Sequence, residues 1–137
     1  MILPTLARGF GPFAQGCFSW IERPQSWDQR RVAASLYAAL VADTSLDLIG
    51  SSERLIIEGR FTEAEVFVRA LAQLRPETAV YVANAHNDVS FGALRLIDSE
   101  LEPDGALVRI EPLSCDLRSY RERWHAEIAS ANKRTAA

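Results

Sequence analysis

Histidine is nearly absent from this chain. Only His86 and His125 occur, and neither sits in an H-E-x-x-H run or beside a cysteine pair. That argues against a structural zinc site. Cysteine is as scarce: Cys17 and Cys115 lie far apart and form no C-x-x-C. With no signal-type leader, they read as reduced thiols of a cytoplasmic protein. The opening "MILPTLARGFGPF" lacks the basic start and long apolar run of a signal peptide. No apolar stretch approaches the roughly 20 residues that a membrane-spanning helix needs. Excess positive charge is missing too. A net charge of -3 and a pI near 5.4 give no general attraction to nucleic acid or anionic membrane. Neither G-x-x-x-x-G-K-[ST] nor G-x-G-x-x-G is present, and there is no G-x-S-x-G elbow.

What remains is the composition of one globular domain: 137 residues, 48% apolar and 24% charged. Residues 1–25 carry Pro4, Gly9, Gly11, Pro12, Gly16 and Pro24, which predicts an extended, irregular N-terminal arm. Its Phe10, Phe13, Phe18 and Trp20 are expected to dock onto the body or onto a part of the molecule beyond this chain. Residues 26–130 read as an α/β lobe, and 131–137 as a fraying tail.

The lobe begins with a long helix from Ser26, with an S-x-x-Q capping box to Gln29 and Gly50 at its end. Its apolar residues Val32, Ala33, Leu36, Tyr37, Leu40 and Val41 cover more than one face, as in a helix sandwiched between layers. "RLIIEG" follows as a strand buried on both faces. A second capping box, Thr62 with Glu65, starts a helix with a narrow stripe of Ala64, Phe67, Leu71 and Leu74. "AVYVAN" is the next strand. "VSFGALRLID" is a shorter helix capped by Asn87 or Asp88, and "ALVRIEP" is a third strand. The last helix aligns Leu117, Tyr120, Trp124 and Ile128 on one side. This alternation predicts a parallel sheet with helices on both faces.

Two glycines raise chemical questions. Gly59 ends the apolar run in "LIIEGRFTEAEVFVRALA", at the carboxyl end of a strand where open α/β sheets place their ligands. Main-chain N–H groups there could meet a phosphate. However, Glu63 and Glu65 already satisfy the helix dipole, with only Arg60 to offset them. On residues alone, a packing turn outweighs a phosphate site. Gly92 stands inside a predicted helix, where it costs about 1 kcal/mol relative to alanine. Tight helix-to-strand packing and contact with a ligand both account for it. "HND" at His86 to Asp88 is better explained by capping residues than by a metal site. Arg118, Arg121 and Arg123, interrupted by Glu122 and Glu127, form a solvated amphipathic face.

Four stretches in order resemble the C-terminal domain of the FGGY family of carbohydrate kinases. "LPTLARGFGPFAQGCFSW" is similar to the "LP…G-GPF…W" segment of one branch, and "AASLYAALVADTSLDLIG" to the helix before the adenosine region. "LIIEGRFTEAEVFVRALA" is similar to the glycine-pair or "EGPF" turn with its helix, and "VSFGALRLI" to the later "S-L-G-A-A-L-L" helix. The likeness spans residues 1 to 100. It implies half of a ribonuclease-H-like, actin-like ATPase fold, with parallel strands flanked by helices. It also implies an ATP-facing turn at Gly59, Arg60 and Phe61, and a helix bounding the adenosine pocket at Gly92 and Ala93. The sequence departs from the family at Glu58, in place of a first glycine, at Ala64, near the usual Asn, and at "NDVS", in place of "TGTS".

The resemblance implies the nucleotide-side lobe of an enzyme that transfers a phosphoryl group from ATP to a sugar hydroxyl. The family's catalytic aspartate, Mg and sugar ligands lie in segments preceding this one. The chain, read as a fragment or truncated product, is therefore expected to be inactive alone and to hold no Mg itself. Its expected partners are the missing N-terminal lobe, ATP and the sugar. Two other readings stand beside it: a non-catalytic α/β binding or assembly module that retains the scaffold, and a homodimer formed through the surface meant for the missing lobe.

Overall fold

The computed structural model describes residues 1–6, 9–83, 89–102 and 105–135. The helix after Ser26 forms as the periodicity predicts, with α1 spanning Trp27–Leu48. Ser26 stands at the N-cap with extended backbone, but its hydroxyl makes no capping bond. The expected box with Gln29 does not form; separately, the Arg30 guanidinium donates back to the Gln25 and Ser26 carbonyls at 2.9 and 3.4 Å. The far end closes as a Schellman turn. Gly50 adopts φ +68°, its N–H reaches the Asp47 carbonyl at 3.1 Å, and the Ser51 N–H reaches that of Leu46 at 3.0 Å.

Three strands make the main sheet: β3 (Arg54–Ile57), β4 (Ala79–Ala83) and β5 (Leu107–Arg109), in the order β3-β4-β5. β3 and β4 are parallel, with Leu55 opposite Val80 and Ile57 opposite Val82. β5 corrects the all-parallel expectation, running antiparallel to β4 with Tyr81 opposite Arg109. The reason lies in the connection. A parallel third strand needs a crossover helix packed back onto the sheet. Among the described residues the intervening α3 (Val89–Ile97) makes no broad contact with any other element, and the chain turns back into β5.

Helix α2 (Glu65–Leu74) lies between α1 and one face of this sheet. Two neighbours bury more of it than the predicted narrow stripe. Val68, Ala70 and Ala72 join Phe67, Leu71 and Leu74 in the core, with Ile57, Val80 and Val82 from the strands. The opposite sheet face is not covered to match. Ile56 is 44% exposed, so β3 alternates where burial on both faces was expected. On α1, Val32 likewise turns out to solvent while Ala33, Ala39 and Leu40 are buried.

The N-terminal arm is more structured than its breakers suggest. β1 (Ile2–Leu3) pairs antiparallel with β2 (Ser19–Trp20), and Ile2 and Leu3 are buried. Gly16 permits the return, since a Cβ there would sit 2.5 Å from the Pro4 carbonyl oxygen. Helix α4 (Arg118–Thr135) holds this arm to the body. As its predicted stripe requires, Leu117, Trp124 and Ile128 are buried, with Tyr120 packed beside them. Trp124 is 0% exposed, donates its indole N–H to the Ile2 carbonyl at 2.8 Å, and meets the Phe13 ring edge-on at 5.1 Å. Of the aromatics expected to dock, Phe13 does so, while Phe10 and Phe18 are exposed.

One buried charge organises the three long helices. Asp43 of α1, 2% exposed, accepts from Arg75 at 2.9 Å and from Arg121 of α4 at 3.2 Å. Arg75 also bonds Asp47 at 2.7 Å and the Ser51 carbonyl, and Arg121 reaches the Leu74 carbonyl at 3.3 Å. Burial works against the charge on Arg75, but its bonds to Asp47 and Asp43 outweigh it and raise the pKa above the usual value. Arg121, half-buried, thus turns toward this network instead of standing wholly on the solvated face expected of it.

Removing one member of such a network strands its partners. Urea denaturation of Asp43→Ala is expected to show a loss of about 3–5 kcal/mol. Asp47→Ala, whose carboxylate is exposed, is expected to lose about 1 kcal/mol or less. Trp124→Ala is expected to cost about 3–5 kcal/mol through its cavity.

Candidate functional site at the carboxyl ends of the parallel strands

Because β3 and β4 are adjacent and parallel, their carboxyl ends open at one edge of the sheet. Both segments singled out in the sequence start there. The chain leaves β3 through Glu58 into a 3-10 turn, Gly59–Glu63. It leaves β4 toward α3, which carries Gly92 and Ala93. The intervening residues 84–88, with the His86–Asp88 loop and the predicted caps Asn87 and Asp88, lie outside the described residues.

Gly59 has φ +70°, a left-handed conformation that costs other residues roughly 1–2 kcal/mol. A Cβ there would meet nothing within 4 Å, so the backbone and not crowding demands glycine. The Thr62 hydroxyl donates to the Gly59 carbonyl at 2.8 Å and closes the turn. That bond corrects the expected Thr62–Glu65 capping box. Thr62 stabilises the 3-10 turn, while Ala64 occupies the N-cap of α2 with no side chain to cap it. Glu65 instead pairs with Arg69 one helical turn on, at 3.0 Å. Arg69 also donates to the Glu111 and Pro112 carbonyls, at 3.3 Å each.

Phe61 is exposed on the same turn, its ring tilted 45° against Phe67 at 5.2 Å between centroids. Arg60 is exposed beside it, as are Glu58 and Glu63. The turn therefore offers open backbone, one cation and one aromatic surface, against two neighbouring carboxylates. Among the described residues, no group of three or more His, Cys, Asp or Glu is arranged to hold a metal ion.

Gly92 corrects its packing interpretation. It is exposed on α3, and a Cβ at that position would meet nothing within 4 Å. No strand approaches it closely, and Ala93 is exposed as well. The sheet topology sends the two segments out from one edge. A cleft of about 420 Å³ borders the turn and is lined by Asp28, Arg31 and Ser35 of α1 with Glu63 to Val66.

The family description "Carbohydrate kinase FGGY, C-terminal domain" matches residues 1–104. The chain belongs to the FGGY carbohydrate kinase family. Among solved structures it is similar to a carbohydrate kinase from Novosphingobium aromaticivorans, at 71% identity with a TM-score of 0.86. That likeness covers 93% of this chain, which spans 28% of the related kinase's length. No curated protein matches. Within this FGGY domain, no helix of the described residues is long and apolar enough to cross a membrane.

Sequence reasoning passed over Leu94, Leu96 and Ile97 of α3, which are strongly exposed. The signal was available: "VSFGALRLI" is apolar over more than half of the helix circumference, not along one narrow stripe.

The two glycines should respond oppositely to alanine. Gly59→Ala is expected to lower stability by about 1–2 kcal/mol because of its positive φ. Gly92→Ala is expected to raise it by up to about 1 kcal/mol, since helix propensity improves in open space. Thermal unfolding of both variants measures the difference.

Proposed function

We propose that this chain is the nucleotide-side lobe of an ATP-dependent carbohydrate kinase, half of a ribonuclease-H-like fold, and inactive without the remainder of the enzyme. The carrying observation is topological: the turn and the helix that resemble the family's ATP-facing elements leave one edge of two adjacent parallel strands. Ligands of open α/β sheets bind at such edges.

The residues present fit one wall of a nucleotide site. The main chain at Gly59 to Phe61 lies open toward a phosphate, and Arg60 supplies a positive charge to it. Gly92 and Ala93 leave a smooth helix surface on which an adenosine can lie. When bound, ATP with Mg supplies the phosphoryl group that a sugar hydroxyl receives. The base, the sugar contacts and the metal ligands then belong to the partner lobe, and a cytoplasmic setting suits the exposed thiols of Cys17 and Cys115. This chain's part is to orient the phosphates, with Arg60 offsetting the neighbouring Glu58 and Glu63.

A second reading rests on those same carboxylates. Glu58, Glu63 and Glu65 acidify the turn, as a non-catalytic binding module that abandoned ATP would allow.

The two readings part when the chain is joined to the preceding portion of the Novosphingobium aromaticivorans kinase. The joined protein is expected to hydrolyse ATP in the presence of its sugar. Arg60→Glu is expected to lower kcat/KM about tenfold or more, the loss of one charge-assisted contact. A joined protein that folds but binds no nucleotide at millimolar concentration selects the binding module.

A further inference from the structure

We infer that α3 is a docking helix, seated in the full-length protein within a socket formed by the remainder of the kinase chain. This rests on the kinase-lobe reading and adds to it the surface by which the lobe is held.

The observation is a mismatch between composition and surroundings. Leu94, Leu96 and Ile97 are 54%, 89% and 87% exposed. At about 100° per residue, Leu94 and Leu96 lie about 160° apart around the helix axis. Arg95 is the one charged side chain between Val89 and Ile97. Apolar side chains run over about 220° of the helix, with Arg95 and Gly92 on the remainder, so one flat neighbour cannot cover them all. Nor does α3 hold itself together. It has nine residues, and isolated helices shorter than about 12–15 residues are marginal in water. No other described element packs broadly against it. Both its stability and its apolar surface therefore call for a partner outside this chain.

Size and context choose the partner. A nine-residue helix is about 14 Å long. Two copies crossing at α3 would bury far less than the roughly 1,200 Å² of a stable interface, and would leave their outer sides wet. The rest of a kinase can enclose the helix from several directions, and this chain spans only 28% of its related kinase. α3 also falls inside the 1–104 match to the family's C-terminal domain, so it belongs to the unit built to sit within a larger enzyme. Gly92 and Ala93 would line the nucleotide on the first turns of α3, and Leu94 to Ile97 would anchor its second half.

The test compares the isolated chain with the Novosphingobium aromaticivorans kinase carrying this chain in place of its matching segment. Hydrogen exchange is expected to be fast at 94–97 in the isolated chain and about 100-fold or more slower in the chimera. The double variant Leu96→Asp, Ile97→Asp is expected to leave the isolated chain's unfolding temperature unchanged and to lower the chimera's by about 2 °C or more. Leu48→Asp, exposed at the end of α1, should change neither. Equal exchange in both proteins, or a double variant that leaves the chimera as stable as before, overturns the proposal. So does an isolated chain that light scattering finds dimeric and that the double variant makes monomeric, because the occupant is then a second copy. A chimera with protected α3 but no sugar-dependent ATP hydrolysis upholds the docking and removes the kinase reading.

Discussion

The buried carboxylate of Asp43 is the constraint around which the helices are arranged. A lone charge in the interior costs several kcal/mol, so its position is tolerable only if Arg75 and Arg121 arrive together. Arg75 follows α2 directly and Arg121 stands in the first turn of α4. One side chain of α1 thereby sets where α2 ends and how α4 approaches. Arg75 also caps the region after α1 through the Ser51 carbonyl, which ties the Schellman turn at Gly50 to the same cluster. Apolar burial supplies most of the driving force, but it is non-directional. The ion network supplies the register.

The legible part of the fold was whatever repeats along the chain. α1 and its terminal Gly50, the buried side of α4, and the strands at residues 54–57 and 79–83 follow from periodicity and glycine placement. Local detail decided the failures. Thr62 lies inside the 3-10 turn, where its hydroxyl donates to the Gly59 carbonyl, and Ala64 stands at the N-cap of α2. Ser26 holds the N-cap position of α1 without making a capping bond. The direction of β5 depends on where α3 goes, which no local pattern encodes. The Asp43 network joins residues 32 and 78 positions apart, so an aspartate on an apolar helix face was its sole trace.

The candidate site divides in the same way. Gly59 could be singled out because a glycine after an apolar run marks a turn, and its positive φ agrees. Gly92 could be singled out because it offends helix propensity. What the sequence did not reveal is that, among the described residues, a Cβ at either glycine would meet nothing within 4 Å. That arrangement is characteristic of a surface completed by something else, and it links the nucleotide reading of Gly59 and Gly92 to the unpacked helix between β4 and β5.

Trp124 carries a kinetic consequence. Its indole bonds the carbonyl of Ile2 across 122 residues, and its ring covers Phe13. On a ribosome the arm emerges before α4, so β1 lacks its Trp124 anchor while α1, α2 and the parallel strands assemble. Contacts of such long separation form late, after the entropy of closing the intervening chain has been met. Until α4 emerges, Ile2 and Phe13 lack the Trp124 contacts that cover them, and α4 ends that exposure.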